Sequence, residues 1–425
     1  GRSINPAKKH DADHGVSAGD TVYWREGQEK ARCQSLATSL RDGEQAIMSS
    51  HIPPASTTQS RFHRRLRLIA SLLAALFAVG SLTIAGGAHL ENASQVAEFV
   101  VCDDPARQWT PAIDNSVIVW SDTRNGTDDI YGYDLDTRSE LAICTAGSAQ
   151  SEPDVSGDTV VWQDRRNSAT GPDIYGYTIS NRIEFAICTE SHGQASPAIY
   201  GNYVVWQDSR AGSNNQDIYG YDLNTRTEFP ISTAEKSQVG PAISGSIVVW
   251  IDYRHEPNPL SCWPDCNTDI YGYDLSSATE FEICTEGHGQ WYPVIDGDTV
   301  VWIDRRNGNS DVYAYDLVAR REYPVCTEVH EQIGVSIDEQ WIVWTDLRNG
   351  NNDLYAFQRS NGAETPLVTE AHLQFQQDID GSRLVWTDLR NEVSPGSCSP
   401  HCNYDIYGAT IQSMRTYLPV LTKGN

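Results

Sequence analysis

Glutamine recurs at one position in seven similar stretches of this chain, and its side-chain amide can both donate and accept hydrogen bonds. The seven residues are Gln108, Gln150, Gln194, Gln238, Gln290, Gln332 and Gln374. A set of neutral amides can bind sugar hydroxyls or ordered water, and it can equally tie loops to their neighbours. Both uses require a repeated structure that brings the seven side chains to one place.

Histidine stands two residues before four of these glutamines, which adds metal binding and acid–base chemistry to the possibilities. The four are His192, His288, His330 and His372. Neutral imidazole is a common ligand of divalent metals, and its pKa lies near neutrality. The spacing of histidine and glutamine matches no metal motif. A metal-dependent polysaccharide lyase or hydrolase is therefore an alternative function, and residues 89–425 contain no G-x-S-x-G nucleophile motif.

Pairs of aspartates flank an Arg-Asn-Gly turn in three stretches that read D-x-R-N-G-x-x-D. The pairs are Asp122 with Asp129, Asp304 with Asp311, and Asp346 with Asp353. Carboxylates together with Asn and loop carbonyls suit Ca²⁺. The arginine inside each stretch offers another use, in which the aspartate pairs with the guanidinium or caps loop amides. No cofactor is expected, with Ca²⁺ as the alternative.

Cysteines occur in two distinct settings. Two matching insertions carry C-x-x-x-C, with Cys262 and Cys266 in one and Cys398 and Cys402 in the other, and each pair is predicted to form a local disulfide outside the cytoplasm. One zinc ion shared by the four thiolates is the alternative. The other set is Cys102, Cys144, Cys188, Cys284 and Cys326, at a position where Ser232 and Val368 also occur. That interchange predicts a small buried residue.

Large aromatic residues lie beside some of the glutamines and in one insertion. They are Trp109, Trp291, Phe375 and Trp263. The corresponding residues in the other stretches are Ser, Ala, Val or Ile. A specific binding site requires asymmetry of this kind, so the aromatic residues and the glutamines are the predicted ligand contacts.

Apart from Cys102, Gln108 and Trp109, which precede the first copy, these residues lie in seven copies of one segment, and each copy opens with W-x-D-x-R. The tryptophans are Trp120, Trp162, Trp206, Trp250, Trp302, Trp344 and Trp386, spaced 42, 44, 44, 52, 42 and 42 residues apart. A period near forty, built from four short strand-like runs, is typical of propeller blades. The sequence predicts an all-β protein whose residues 95–425 form a seven-bladed β-propeller of four-stranded antiparallel blades.

Within each blade the strands are called A to D in chain order, and a small residue recurs in strand C. The seven are Gly132, Gly176, Gly220, Gly272, Ala314, Ala356 and Gly408. All seven lie an even number of residues after the tryptophan of strand B, which suggests that both side chains occupy one face of the sheet. The prediction is that each indole lies directly opposite the small residue.

Blade seven lacks a strand of its own. Residues Glu98 to Cys102 resemble strand D, and so do Thr416 to Val420 near the other end of the chain. A strand from the opposite terminus often closes the last blade and removes an exposed sheet edge. The N-terminal strand is predicted to fill the gap.

The repeat motifs VVWQDRRN, VVWIDRRNGN and DIYGYDL resemble those of the TolB-like propeller repeats of secreted and cell-surface bacterial and archaeal proteins. The resemblance covers about residues 95 to 425. It implies a propeller fold and a location outside the cytoplasm. It implies no particular activity, because propellers serve as enzymes, receptors and scaffolds.

The first part of the chain differs in character from the repeats. Residues 1–47 show no strand or helix pattern and are predicted to be disordered or foreign to the native product. Residues 48–88 run from Met48 through four arginines and an apolar stretch to Ala88, the order of a secretory signal peptide; an N-terminal anchor is the alternative. The protein is predicted to be secreted or on the cell surface, or periplasmic where the cell has an outer membrane.

Charge narrows the choice of partners. Residues 1–88 carry 7 acidic and 11 basic side chains, which leaves 50 of the 57 acidic and 20 of the 31 basic ones for residues 89–425. The excess of acidic side chains in residues 89–425 creates a negative electrostatic field, which repels nucleic acid and anionic lipid. We expect a monomer that does not insert into a membrane after signal cleavage. The predicted function is a non-catalytic module that binds a protein or glycan at the cell surface through its BC and DA connections, where loop lengths vary most.

Overall fold

The computed structural model describes residues 96–411, apart from residues 168, 170, 258, 260, 261, 263–265 and 393–401. All regular secondary structure in this part of the chain is β-strand. Strand β1 spans Val96–Cys102, and each later blade begins with its strand A. The predicted segments 1–47 and 48–88 and the candidate strand at 416–420 lie outside the described residues.

The first four blades are complete in chain order. Blade one contains β2 (Gln108–Asp114), β3 (Val117–Asp122), β4 (Asp129–Asp134) and β5 (Ser139–Cys144). Blade two contains β6 (Gln150–Ser156), β7 (Thr159–Asp164), β8 (Asp173–Thr178) and β9 (Ile183–Cys188). Blade three contains β10 (Gln194–Tyr200), β11 (Tyr203–Asp208), β12 (Asp217–Asp222) and β13 (Thr227–Ser232). Blade four contains β14 (Gln238–Ser244), β15 (Ile247–Asp252), β16 (Asp269–Asp274) and β17 (Thr279–Cys284).

The remaining blades follow the same pattern up to the last strand. Blade five contains β18 (Gln290–Asp296), β19 (Thr299–Asp304), β20 (Asp311–Asp316) and β21 (Arg321–Cys326). Blade six contains β22 (Gln332–Ile337), β23 (Trp341–Asp346), β24 (Asp353–Gln358) and β25 (Ala363–Val368). Blade seven contains β26 (Gln374–Asp380), β27 (Arg383–Asp388) and β28 (Asp405–Ile411), with β1 as its fourth strand.

The seven sheets form a closed ring. Every sheet is antiparallel with its strands in the order A-B-C-D, and each strand A contacts the strands A of the two neighbouring blades, including β26 with β2. Strand A is therefore the innermost strand and borders the central channel. The prediction of an all-β, seven-bladed propeller is confirmed.

Burial explains why strand B reads as a continuous apolar run. In blade two, Val160, Val161 and Trp162 have no exposed surface, because neighbouring blades cover both faces of the sheet. Val160 packs in the core shared with blade one, whereas Val161 packs in the core shared with blade three. The side chains of one blade thus contribute to two interfaces of the ring.

The predicted partner of the tryptophan is wrong by one residue. Trp206 lies opposite Tyr219, and the two rings stack with their centroids 6.5 Å apart. Gly220 lies opposite Val205 instead, on the other face of the sheet. In an antiparallel pair, the residue numbers of opposed residues add up to the same sum along the whole pair, and that sum is set by the point at which the connecting loop turns. The number of residues between two positions therefore does not show that they lie opposite each other.

The strand C glycine makes room for an aromatic ring of strand D. A Cβ built on Gly220 would lie 2.7 Å from the ring of Phe229, and one built on Gly408 would lie 2.6 Å from the ring of Phe99. At these two glycines the ring would have to shift to admit even a methyl group, whereas blades five and six have Ala314 and Ala356 at this position. The small residue is therefore required for packing between strands C and D, and not beneath the indole.

Strand β1 closes the ring as predicted. It pairs antiparallel with β28, with Phe99 opposite Gly408. Glu98 lies 2.8 Å from Arg390, the same contact that Glu140 of strand D makes with Arg124 in blade one. The segment before the first blade thus supplies the pairing, the ring over the strand C glycine and the ion pair with the clamp arginine that a strand D supplies in other blades. In the part of the chain that the structure describes, no helix is long and apolar enough to cross a membrane.

Removing the Phe99 ring should weaken this closure. Phe99→Ala leaves the space above Gly408 unfilled, so we expect the free energy of unfolding to fall by about 1–3 kcal/mol. Denaturant unfolding measures the change. The matched control is Val100→Ala on the same strand, where the side chain is 49% exposed and the expected change is small. Equal effects of the two substitutions would contradict the role of Phe99 in closure.

Candidate functional site

The innermost strand of every blade carries a bulge that turns one residue into the left-handed region. The third residue of each strand A has a positive φ: Thr110 49°, Glu152 54°, Ser196 51°, Gly240 59°, Tyr292 53°, Gly334 51° and Gln376 51°. Pairing with strand B shifts register beside it in each blade. Five of the seven residues are not glycine. The left-handed backbone conformation costs free energy for such residues, and it recurs at functional sites.

Side chains of several inner strands accept hydrogen bonds from the backbone of the following blade, and two of these strands do so three times. From blade two to blade three, Glu152 accepts from the Ser196 amide (3.1 Å), Asp154 from Ile199 (2.8 Å) and Ser156 from Gly201 (3.0 Å). From blade seven to blade one, Gln376 accepts from the Thr110 amide (3.1 Å), Asp378 from Ile113 (2.9 Å) and Asp380 from Asn115 (2.8 Å). These bonds join the blades along the wall of the channel.

Asp154 and Asp378 occupy one level of that wall. Asp154 lies opposite Val161 and Asp378 opposite Val385, the residue before the tryptophan in each strand B. The equivalent residues of the other blades are Ala112, Ala198, Ala242, Val294 and Ser336. Two of the seven blades therefore have a carboxyl group at a strand A position where the other five have a small or apolar side chain.

Burial makes both carboxyl groups unusually weak acids. It raises the pKa of Asp378 to about 7, against the lowering effect of the Ile113 amide, and the charge of Asp154 raises it further. It raises the pKa of Asp154 to about 6, opposed by the amides of Ile199 and Val155. Protein surrounds both groups, yet each keeps some solvent-exposed surface. Groups on the wall of a central channel have this combination.

A second acidic level lies where strand A turns into strand B. Asp296, Asp338, Asp380 and Asp114 occupy it on four consecutive blades, five, six, seven and one. Burial raises the pKa of Asp338 to about 6, and the charges of Asp296 and Asp380 add to the rise, although the Gln340 and Trp341 amides oppose it. Arg359 lies 3.4 Å from Asp296. This end of the channel is thus strongly acidic.

The arrangement suits a cationic ligand. Carboxyl groups that titrate near neutrality can bind an ammonium group when ionised and can also exchange a proton with it. A cation inside the channel would stabilise the ionised carboxylates, which burial and, to a smaller extent, mutual repulsion disfavour. The channel wall formed by Asp154 and Asp378 is the candidate functional site.

The seven glutamines lie at the start of the inner strands and are fully buried. In six of them the amide nitrogen donates to the carbonyl two residues earlier, for example Gln194 to His192 at 2.9 Å and Gln238 to Lys236 at 2.9 Å. Each such amide braces its own DA connection. Ligand contact by the glutamines stays a prediction.

The histidines lie apart from one another. His192, His288 and His330 are exposed and His372 is half-buried, each on a different DA connection. In the described part of the chain, no three His, Cys, Asp or Glu side chains are grouped so as to hold a metal ion. The structure does not assemble the centre that a histidine-bound metal would need.

The first aspartate of each BC loop belongs to a clamp that repeats in every blade. In blade three, Asp208 accepts from the Trp206 indole at 3.0 Å and from the Arg210 guanidinium at 2.7 Å, and the Arg210 amide donates to its other oxygen at 2.8 Å. The guanidinium also lies 3.9 Å from the centre of the Tyr219 ring and 2.6 Å from Glu228.

The aspartates considered for Ca²⁺ are held in this way. Asp122, Asp304 and Asp346 accept from tryptophan and arginine. Their partners Asp129, Asp311 and Asp353 accept from asparagine side chains. The structure thus shows the pairing with arginine that the sequence offered as the other use of these residues.

The aromatic residues pack beneath the cysteine insertions. Cys262 and Cys266 are disulfide-bonded, as predicted. Trp291 of the next blade is 8% exposed, in a cluster with Cys266 and with its ring against Tyr253. Burial of this order leaves Trp291 little surface for a ligand.

The second insertion repeats this arrangement. Cys402 is also disulfide-bonded, and it packs with Tyr404, Trp109 and Phe375. The rings of Phe375 and Tyr404 meet edge to face, 5.6 Å apart. Cys398 and Trp263 lie outside the described residues. Each insertion therefore covers an aromatic residue at the start of an inner strand.

The five cysteines of strand D are buried free thiols. Burial raises the pKa of Cys102 to about 12, and the same holds for the other four. Cys102 accepts from the Arg124 guanidinium at 3.2 Å. At five of the seven interfaces a thiol thus connects one blade to the clamp of the next. Such weak acids are poor nucleophiles.

Comparison with known proteins shows the fold. No protein family and no curated protein matches the sequence. Among solved structures, the propeller domain of the trilobed protease from Pyrococcus furiosus is 14% identical (TM-score 0.54; 67% of this chain, 91% of that chain). A puromycin hydrolase is 12% identical (TM-score 0.55; 72% and 54%), and an oligogalacturonate lyase in complex with manganese is 14% identical (TM-score 0.50; 75% and 92%). The chain spans about half the length of the puromycin hydrolase.

These neighbours contradict the predicted non-catalytic module that binds a surface protein or glycan. Propellers of peptidases recur among them, including a trilobed protease, puromycin hydrolases, an acylaminoacyl peptidase and prolyl endopeptidases. The prediction relied on loop variety at the BC and DA face. Part of that variety, the aromatic residues near the insertions, is explained by packing.

Sequence reasoning also missed Asp154 and Asp378. The available signal was an aspartate at a position where the aligned repeats have Ala, Val or Ser. Because the chain has many acidic residues, the sequence does not distinguish these two aspartates from the others. Their importance appears only once the ring brings the inner strands together.

The pH dependence of the free energy of unfolding should reveal the raised pKa of Asp378. An unfolded aspartate titrates near 4, so between about pH 4 and 7 the folded protein holds a proton at Asp378 that the unfolded chain has lost, and stability falls as pH rises. Asp378→Asn removes this penalty and can still accept from the Ile113 amide. We expect it to raise the free energy of unfolding by about 1–3 kcal/mol at pH 8 and to change it little at pH 4.

Urea unfolding across this pH range gives the measurement. Asp136→Asn, an exposed turn residue, is the control and should not change the shape of the profile. A profile for Asp378→Asn that runs parallel to that of the unaltered protein would contradict a raised pKa at this residue.

The strand D thiols should be unreactive in the folded protein. With a pKa of about 12, only about one thiol in ten thousand is ionised at pH 8. We expect iodoacetamide to label Cys144 and its four equivalents at least a hundredfold more slowly in the native protein than in urea, as followed by peptide mass mapping. Fast native labelling would show that the thiols are accessible.

Proposed function

We propose that this propeller serves a peptide hydrolase, and that its channel takes up the cationic end of the substrate. The observation that carries the proposal is the pair Asp154 and Asp378 on the channel wall. A free amino terminus or a basic side chain would meet these carboxylates inside the ring. The propeller would then select and orient peptides for the hydrolase.

The charge of the repeats supports this role. The acidic level formed by Asp296, Asp338, Asp380 and Asp114 lies at one end of the channel, and Asp154 and Asp378 lie deeper. A cation entering from that end would pass from one acidic level to the next. Such a field raises the local concentration of cationic substrates and repels anionic ones.

The structural neighbours support the hydrolase part of the proposal. Puromycin hydrolase, acylaminoacyl peptidase and prolyl endopeptidase structures contain matching propellers that occupy about half of those chains or less. A propeller of this type is therefore found together with peptide hydrolysis. For this protein, we place the catalytic centre outside the described propeller.

We also infer that the repeats are of the TolB-like type and that the protein works outside the cytoplasm. The W-x-D-x-R and D-I-Y motifs support the first point. The disulfide of Cys262 with Cys266 supports the second, because disulfides persist in oxidising compartments.

The experiment compares peptidase activity with and without the channel carboxylates. Fractions containing the full chain from cells that produce it are assayed with peptide coumarin amides that have either a free or an acetylated amino terminus. We expect peptidase activity to elute with the chain. Changing both Asp154 and Asp378 to Asn should raise KM about tenfold for the free peptides, with little change in kcat, because a charge-assisted contact is lost.

The control is Asp136→Asn, which leaves the channel unchanged. The acetylated peptides form the second control, since they lack the ammonium group. Peptidase activity that never accompanies the chain would overturn the proposal. An equal change of KM for free and acetylated peptides would overturn the role of the channel carboxylates.

A further inference from the structure

In six of the seven blades, the aspartate that begins strand C is paired with a side chain of its own BC loop. The pairs are Asn125 with Asp129 (2.7 Å), Asn167 with Asp173 (2.7 Å), His255 with Asp269 (2.6 Å), Asn307 with Asp311 (2.6 Å), Asn349 with Asp353 (2.6 Å) and Asn391 with Asp405 (2.9 Å). In four of these blades, the same asparagine lies within hydrogen-bond distance of the strand C tyrosine hydroxyl. The donor follows the arginine of the clamp in every case.

Blade three lacks this donor, because Ala211 follows Arg210. Asp217 is nevertheless only 3% exposed, and no BC-loop side chain donates to its carboxylate in the described part of the chain. Its Oδ1 atom has no hydrogen-bond partner, which is also true of Asp269 and Asp405, but those two aspartates accept from the loop donor on Oδ2. The neighbouring Gln216 side chain donates to Ser209 at 3.4 Å instead. Ala211 itself is exposed, so the space that an asparagine amide fills elsewhere opens to solvent.

An unpaired buried carboxylate is unfavourable and calls for a partner. Burial raises the pKa of Asp217 to about 6, and the charge of Asp208 adds to the rise, while Arg210 opposes it. Arg210 is already engaged with Asp208 at 2.7 Å and with Glu228 at 2.6 Å. The chain therefore leaves the charge of Asp217 largely uncompensated.

We propose that blade three binds a primary ammonium group from outside the chain in the space between Ala211, Asp217 and the Tyr219 hydroxyl. The space corresponds to the three heavy atoms of the missing carboxamide, which suits one small donor. An ammonium has three N–H donors and carries the charge that the Asp217 carboxylate lacks, so it matches both acceptors better than a neutral amide does.

The site lies on a BC loop and is built from side chains that the channel does not use. It is therefore independent of the hydrolase proposal. The ammonium could belong to a small amine, a peptide amino terminus or a lysine side chain, and separate probes distinguish these sources.

Isothermal titration calorimetry at pH 8 tests the site in the full chain carrying Asp154→Asn and Asp378→Asn, which removes the ammonium site proposed for the channel. The probes are ethylammonium, glycinamide and a lysine residue blocked at both ends, with its Nζ-acetylated form as the neutral control. We expect at least one ammonium probe to bind and the acetylated form not to bind. Ala211→Asn should weaken binding at least about tenfold, since the new amide fills the space as in the other blades.

A reciprocal variant provides the matched control. Asn125→Ala gives blade one the arrangement of blade three, so the number of ammonium groups bound per chain should rise by one. This gain does not depend on Ala211→Asn folding correctly. Unchanged binding by Ala211→Asn, no gain with Asn125→Ala, or equal binding of the acetylated probe would overturn the proposal.

Discussion

The clamp of tryptophan, aspartate and arginine in every blade is the interaction on which the rest of the propeller depends. Its aspartate has no exposed surface, so the carboxylate is stable there only because the indole, the guanidinium and a backbone amide all donate to it. Removing one partner of such a buried pair costs about 3–5 kcal/mol. The same guanidinium stacks on a strand C tyrosine and reaches a strand D glutamate, so one residue joins strands B, C and D.

The clamp also joins neighbouring blades. Arg166 of blade two lies 3.3 Å from the Cys144 thiol at the end of blade one. The same contact recurs at five of the seven interfaces, with Ser232 and Val368 in place of cysteine at the other two. Because the blade bodies are fixed in this way, the inner strands and the loops can vary. Those variations produce the two acidic levels of the channel and the unpaired Asp217.

The repeat itself explains why the fold could be predicted from sequence. Seven copies of W-x-D-x-R fix the number of blades, and a strand D pattern before the first copy fixes the closure by β1. The register between strands B and C could not be obtained in the same way. Trp206 faces Tyr219 and not Gly220, because the pairing depends on the path of the BC loop, which residue spacing does not reveal.

The candidate sites were harder to predict for a related reason. Trp291 was expected to meet a ligand, but the insertion of the preceding blade covers it, a contact between segments that are distant in the repeat pattern. Asp154 and Asp378 look ordinary in sequence, and their raised pKa values arise from burial in the assembled ring. Asp217 differs from its equivalents through one neighbouring alanine, so only a blade-by-blade comparison of contacts shows that it lacks a partner.

The central claim is that the channel wall holds carboxyl groups that titrate near neutrality and respond to an ammonium ligand. Carbon-13 NMR of the aspartate carboxyl groups, assigned with Asp154→Asn and Asp378→Asn, tests it directly. The account predicts that the resonances of Asp154 and Asp378 titrate with pKa values of about 6 and about 7, and that added glycinamide shifts both midpoints downward. Titration of both residues near pH 4, with no response to glycinamide, would contradict it.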